Sequence, residues 1–290
     1  MTTEVTDVVF TRHGARRGLD WLRQARVMFN AARLPWLMLL LAFYLALAIV
    51  RMVPVIGLVA VPLLKPVFAV GFLAAAWTQE RGGRPRLADL FTGFRANLGA
   101  LLPLGLFFVL GVTLATLATS LVDGGKLLDL FSNPPAVDGD ADAAATRVED
   151  VLLSTRVQLG MLFAAVCAIP VLLAMWFAPA LVVFQDRGPF AALALSFRAA
   201  VANWRPLAVY ALAVFVVAGV VPTFLAAMVQ LLAAAFSDAA RAWLVYIVIL
   251  PYIAMVIATL QIADYVAYRD VFHPGETLTP LTDAKPADSA

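Results

Sequence analysis

Six stretches of this 290-residue chain are apolar for close to twenty residues or more, and that feature constrains its fold more than any other. They cover 34–50, 53–77, 98–122, 157–184, 206–236 and 242–263. A helix rises about 1.5 Å per residue, so about 20 apolar residues cross the roughly 30 Å of bilayer hydrocarbon. The first stretch is short for that task and the fifth is long enough to tilt. Hydrophobic residues make up 63% of the chain and charged ones only 14%. A soluble domain carries about 25% charge, and no single soluble core could hide this apolar surplus. In hydrocarbon every backbone N–H and C=O must be paired within the protein, which leaves helices as the simplest spanning element. The chain therefore reads as an all-α, polytopic transmembrane helix bundle of about six spans. The second stretch is the irregular one. It holds Pro54, Gly57, Pro62, Lys65, Pro66 and Gly71, so a spanning and a re-entrant course both stay open.

The connections give an orientation. With the N-terminus inside, the inner segments hold 15 of the 21 lysines and arginines, the outer segments 5, and one, Lys65, lies within a span. By the positive-inside rule both termini are expected in the cytoplasm. The domain plan is a cytoplasmic tail with a basic helix at 1–34, a transmembrane domain at 35–268, and a disordered cytoplasmic tail at 269–290. The outer segment 123–156 is acidic, with Asp138, Asp140, Asp142, Glu149 and Asp150, and an Asn133-Pro134-Pro135 break. It reads as a mobile loop. The first 33 residues contain six arginines and no signal-type apolar core, so the first span is expected to insert and stay.

Over 15–33, at helical spacing, Trp21, Leu22, Ala25, Met28, Phe29 and Ala32 share one arc. Arg16, Asp20, Arg23, Gln24, Arg26, Asn30 and Arg33 occupy the rest, and Leu19 and Val27 break the pattern. Such a helix can lie in the inner membrane interface or pack on the bundle's cytoplasmic end. An internal repeat adds two more short amphipathic segments. Gln79-Glu80-Arg81-Gly82 matches Gln185-Asp186-Arg187-Gly188. With three residues fewer in the second copy, Phe94-Arg95-Ala96 falls on Phe197-Arg198-Ala199 and Pro103-Leu104 on Pro206-Leu207. Leu87, Leu90, Phe91, Phe94 and Leu98 share a face in one copy, and Phe190, Leu193, Phe197, Val201 and Trp204 in the other. Two hairpins of one orientation, 53–122 and 157–236, imply a pseudo-twofold axis along the membrane normal, against the alternative of convergence between two similar inner hairpins.

Three regions together carry a resemblance. They are Arg17-Gly18-Leu19-Asp20-Trp21-Leu22-Arg23-Gln24-Ala25 with Pro35-Trp36; Val53-Pro54-Val55-Ile56-Gly57 through Lys65-Pro66, Gly71, Gly82-Gly83 and Leu90-Phe91-Thr92-Gly93-Phe94; and Asp264-Tyr265-Val266-Ala267-Tyr268-Arg269-Asp270-Val271-Phe272. The chain resembles an uncharacterised family of proteobacterial multi-pass inner-membrane proteins over nearly its whole length, and the third region is the most specific part. More distantly, Ala194-Leu195-Ser196-Phe197-Arg198 with Asn203-Trp204-Arg205 is similar to the membrane domain of glycerophosphoryl diester phosphodiesterases. The resemblance implies a bacterial inner-membrane address and a fold, and brings no residue of known function.

Catalytic chemistry is not legible. His13 and His273 sit at opposite ends of the chain, read as solvated, and are matched to no serine nucleophile. There is no HExxH, CxxC or phosphate-loop motif, Cys167 is alone and reads as packing, and no metal or cofactor is implied. Two sets of residues remain as candidates. Arg16, Arg23, Arg26, Arg33, Arg95 and Arg198 are expected to meet lipid headgroups or an interface. Lys65, Gln230, Gln261 and Asp264 are polar groups within spans, where a central charge costs about 2.5–3.5 kcal/mol on insertion scales. Lys65 could bond carbonyls freed by Pro62 and Pro66, or snorkel outward along a bent helix. Asp264 could pair with an inner arginine such as Arg198. The resulting expectation is a non-enzymatic scaffold or lipid-interacting membrane module, with a small transporter or channel around Lys65 as the alternative. Its partners are membrane lipids, with protein partners or a homo-oligomer open and no nucleic acid. A polar cavity reaching Lys65 would favour transport, and a solid bundle with a flat basic face the scaffold.

Overall fold

The computed structural model describes residues 10–53, 56–133, 141–233 and 236–274, with backbone alone at 56, 58, 141–144 and 238. The expectations for Pro54, Pro134-Pro135, Asp138, Asp140, Lys285 and the tail beyond 274 lie outside those residues. Among the described residues the regular elements are all helical, and six helices are long and apolar enough to cross a membrane. These spans are Arg33–Arg51, Val59–Glu80, Leu98–Asp123, Thr155–Phe184, Trp204–Leu232 and Ala239–Phe272.

A short helix, α1 (Arg17–Ala31), precedes the first span, α2 (Arg33–Arg51). The periodicity of its residues decides which face it buries. Trp21, Ala25 and Phe29 are buried, while Arg16, Arg23, Arg26 and Arg33 are exposed, together with the pattern-breaking Leu19 and Val27. Of the two candidate placements, packing on the bundle is the one seen. Its apolar arc packs on two other helices, the fifth and sixth spans described below, and its arginines point away.

The second span is the centre of the bundle. α3 (Ile56–Glu80) runs unbroken through Pro62 and Pro66. It is 56% buried over its most apolar stretch, against 6% for the fifth span. A continuous helix replaces the re-entrant alternative. Close packing supports it. The third span, α5 (Leu98–Ala118), approaches so tightly that a Cβ on Gly105 would sit 2.0 Å from the Leu63 carbonyl oxygen. Small residues allow such approach where lipid supplies no hydrophobic drive between helices.

Between these two spans the chain makes a 3-10 turn (Leu87–Phe91) and α4 (Thr92–Ala96). Asp89 starts the turn by accepting the Arg86 N–H at 2.8 Å. The third span ends in α6 (Ser120–Asp123). The outer segment then holds α7 (Lys126–Ser132) and α8 (Ala141–Leu153). The expected loop is thus largely helical. Asp123 accepts the N–H groups of Gly125 and Leu127 at 2.7 and 3.0 Å, satisfying donors that a helix start leaves free.

The fourth span is α9 (Thr155–Trp176) followed by α10 (Ala178–Phe184), broken at Phe177. α11 (Pro189–Ala202) then leads to the fifth span, α12 (Trp204–Phe215) and α13 (Val221–Leu232), joined by a π turn at Val216–Val220. Pro222 explains that turn. It has no N–H, so a carbonyl one turn back is orphaned, and the Tyr252 hydroxyl donates to Val217 O at 2.6 Å. Tyr252 lies on the last helix, α14 (Asp238–Phe272), which runs past the boundary drawn at 268.

The break at Phe177 has a specific cause. The Ser196 hydroxyl accepts the Phe177 N–H at 2.9 Å and donates to Leu173 O at 3.0 Å. In an unbroken helix Phe177 N–H would bond Leu173 O directly, so Ser196 sits inside the ladder. The repeat aligns Ser196 with Gly93 and Leu173 with Val67. A Cβ on Gly93 would lie 2.1 Å from Val67 O. The contact is the same in both hairpins, but the glycine leaves α3 straight where the serine divides the fourth span. The turns differ too. Gly82 takes φ 82° in the first, while Asp186 takes φ 49° in the second. The large residues of the short segments are mostly exposed: Phe91, Phe94, Phe190, Phe197, Val201 and Trp204. α11 buries Ala192, Leu193, Ser196, Ala199 and Ala200 instead. A membrane interface accepts such an exposed apolar rim.

Candidate functional site

Two polar constructions stand out from the apolar bundle, one at the end of the helices and one within it. The first ties both ends of the chain together. Arg17 donates two bonds to the Asp270 carboxylate, at 2.7 Å from Nε and 2.5 Å from its terminal nitrogen, and Trp21 Nε1 adds a third at 2.8 Å. His13 Nε2 lies 3.0 Å from the Asp270 carbonyl oxygen and 3.5 Å from its carboxylate. Arg17 is held above its usual pKa, first by its hydrogen bond to Asp270. Asn203, buried at the start of α12, grips the segment before α1. Its amide oxygen accepts the His13 N–H at 2.9 Å and its NH2 donates to Thr11 O at 3.0 Å.

The same end gathers both hairpin turns. Gln79 accepts from Trp36 Nε1 at 2.7 Å and donates to Met28 O at 2.6 Å. Glu80 pairs with Arg269 and accepts from the Tyr265 hydroxyl. Arg269 also reaches Gln24 at 2.8 Å. Gln185 donates to the Tyr268 hydroxyl at 3.3 Å. Tyr265 and Arg269, one turn apart on α14, both meet Glu80, while Tyr268 and Asp270 reach Gln185 and Arg17 from other faces, which is why that stretch is chemically dense. His13 and His273 are both part-buried in this network, correcting the solvated reading.

The second construction is a cavity of about 640 Å³ in the middle of the bundle. All six spans reach it: Phe43 and Leu47 from the first, Lys65 and Phe72 from the second, Phe108 from the third, Trp176 and Pro179 from the fourth, Tyr210 from the fifth, Leu260, Gln261 and Asp264 from the sixth. Lys65 Nζ rests over the Phe108 ring, 4.3 Å from its centre. Among the described residues it bonds no proline-freed carbonyl; Lys65 is exposed while lining the cavity, with the Phe108 ring beside it. Asp264 senses the charge of Lys65, but no ion pair closes between them, and Asp264 makes no hydrogen bond among the described residues. Arg198 lies exposed on α11, so the expected Asp264–Arg198 pair is absent. Trp176 Nε1 is buried at the cavity wall without an acceptor.

The chain is 31% identical over 275 residues to a protein of Burkholderia thailandensis described as "Probable inner membrane protein", and the match covers 92% of this chain and 96% of that one. The chain belongs to this family of inner membrane proteins. No family model matches it, and no solved structure does. Six apolar helices in one bundle agree with a multi-pass inner-membrane protein, as the resemblance in sequence implies.

Within this family member the ten candidate residues fall into three groups. Lys65, Gln261 and Asp264 line one cavity. Gln230 is exposed on α13 and is not among the residues lining it. Arg16, Arg23, Arg26, Arg33, Arg95 and Arg198 are all exposed; Arg23 meets Asp20 at 3.2 Å and Arg33 meets Asn30 at 3.2 Å. Sequence reasoning passed over Arg17, Glu80, Asn203 and Asp270 as a set. Arg17 and Trp21, one helical turn apart, together with acids at both ends of long apolar runs, were the available signal.

Proposed function

We propose that this protein is a non-enzymatic, lipid-interacting membrane module that receives the polar end of an amphiphile in its central cavity. The observation that carries this is the cavity itself, bordered by all six spans and holding Lys65 and Asp264 on a mostly apolar wall. Its volume falls within the roughly 300–1,000 Å³ usual for ligand pockets, and its few polar groups on apolar walls fit an amphiphilic guest. Two ionisable groups at membrane depth are costly to keep, and intramembrane charge marks function by default. A polar cavity reaching Lys65 would have favoured transport and a flat-faced solid bundle a pure scaffold; a mostly apolar cavity with a few polar groups fits an amphiphile better than either.

The transporter reading has one observation of its own. Lys65 and Asp264, two ionisable groups within spans, line one cavity, as the binding groups of a carrier would. Binding comes before either reading. Ala69→Phe places a ring in the cavity, since Ala69 lines it. Native mass spectrometry of delipidated protein titrated with phospholipid is expected to give bound lipid for the wild type and a loss of the bound species for Ala69→Phe. Equal binding by two well-folded proteins rejects the cavity as the site. Both termini are read as cytoplasmic, with the networked end inward. The two hairpins are read as copies of one ancestor, supported by the Gly93–Val67 and Ser196–Leu173 contacts.

A further inference from the structure

We infer that the cavity selects a phospholipid whose headgroup is a net-neutral amino-phosphate zwitterion, placing phosphate at Lys65 and ammonium at Asp264. The inference rests on the cavity reading above and names its ligand. Lys65 and Asp264 line the same cavity from the second and sixth spans, which pack against each other, and no ion pair joins them among the described residues. Lys65 Nζ lies over the face of Phe108, and among the described residues no ion pair or hydrogen bond to it is found. An ammonium in a site of low dielectric wants an anion, and a carboxylate wants a donor. A purely anionic headgroup answers Lys65 and brings like charge to Asp264. A purely cationic one does the reverse. A dipolar headgroup satisfies both, and the fixed backbones of α3 and α14 set the distance it must span.

Two further features agree. Trp176 Nε1 is a donor only, is buried without an acceptor, and lies on the same wall as Asp264 and Gln261. Phosphate and ester oxygens are acceptors, so the guest supplies what Trp176 lacks. The remaining wall, including Phe43, Leu47 and Met175, is apolar and suits the first carbons of acyl chains.

The test compares defined lipids by native mass spectrometry on the full chain in detergent. The probes are a phosphatidylethanolamine, a phosphatidylglycerol of the same chains, and free phosphoethanolamine. The wild type is expected to prefer the ethanolamine lipid by about tenfold, the scale of one charge-assisted hydrogen bond. Lys65→Gln and Asp264→Asn are each expected to erase the preference. Free phosphoethanolamine, lacking chains, is expected not to compete at matched concentration; effective competition overturns the lipid and assigns a soluble amino-phosphate. Equal binding of the two lipids, with Ala69→Phe still blocking both, overturns the headgroup inference and leaves the cavity reading standing. Ala69→Phe without effect removes the cavity reading instead. Where either charge variant fails to fold, the wild-type ratio of the two lipids decides alone.

Discussion

At the residue scale, Asp270 shows what a single charge does in a protein with few of them. Its side chain is 7% exposed and that of Arg17 is 39% exposed, so the pair is half wet. Removing one partner of a fully buried pair costs about 3–5 kcal/mol, and the wet side lowers that to about 2 kcal/mol here. Asp270→Asn is therefore expected to lower thermal stability in detergent, read by loss of helical circular dichroism, while Arg17→Lys falls between it and wild type because lysine keeps charge without the planar fork. The pH sign follows from Arg17. A cation with a raised pKa stabilises fully below its unfolded value and loses that contribution only as pH rises through the folded value. The wild-type minus Arg17→Gln difference is thus expected to stay level between about pH 8 and 10. A difference near zero throughout that window would mean the bond to Asp270 does not form in solution. Residues such as these were hard to read in the sequence. Lys65, Gln261 and Asp264 stood out because each is a polar group inside an apolar run, and the fold brings all three to one cavity. Arg17 and Asp270 are 253 positions apart, and no local pattern links them. Gln230 stood out by the same rule as Lys65, yet it does not line the cavity, since period alone does not say which neighbour a helix face meets.

Among the elements, the second and fourth spans show how one side chain decides helix shape. Ser196→Ala is expected to free the Phe177 N–H and the Leu173 carbonyl, which either stay unpaired at about 1–3 kcal/mol or re-form the direct bond and straighten the span. Pulsed electron paramagnetic resonance between labels on α9 and α10 distinguishes the two, and an unchanged distance together with unchanged stability contradicts the wedge. The reverse change, Gly93→Ser, is expected to destabilise more, because even a Cβ collides with the Val67 carbonyl. Span existence was legible from length and hydropathy. The continuity of α3 was not, since Pro62 and Pro66 argue for a break and only packing against α5 overrules them. The helices of the outer segment were also missed, because acidity and small residues resemble a loop until a cap such as Asp123 is seen in place.

On the scale of the whole molecule, the exposed arginines are proposed to form one basic face at the networked end. Each basic residue near an anionic leaflet contributes about 1 kcal/mol and fades within a Debye length. Changing Arg16, Arg23 and Arg26 to Gln is expected to reduce co-purifying anionic lipid at moderate salt; equal retention with unchanged folding leaves those arginines a topological role alone. Reporter fusions after Phe131 and at the C-terminus are expected on opposite sides of the membrane. The network at that end also has a consequence for how the protein is made. Thr11 bonds Val271, Arg17 bonds Asp270, and Gln24 bonds Arg269, so the first helix docks on the last. During synthesis those partners are the final described helix to leave the ribosome. Until then the apolar arc of Trp21, Ala25 and Phe29 has only part of its seat, on the fifth span, where Trp21 meets Tyr210. Completion is thereby registered chemically: a chain stopped before Tyr265 lacks the partners of Arg17, Trp21 and Gln24 and leaves the α14 side of this arc open.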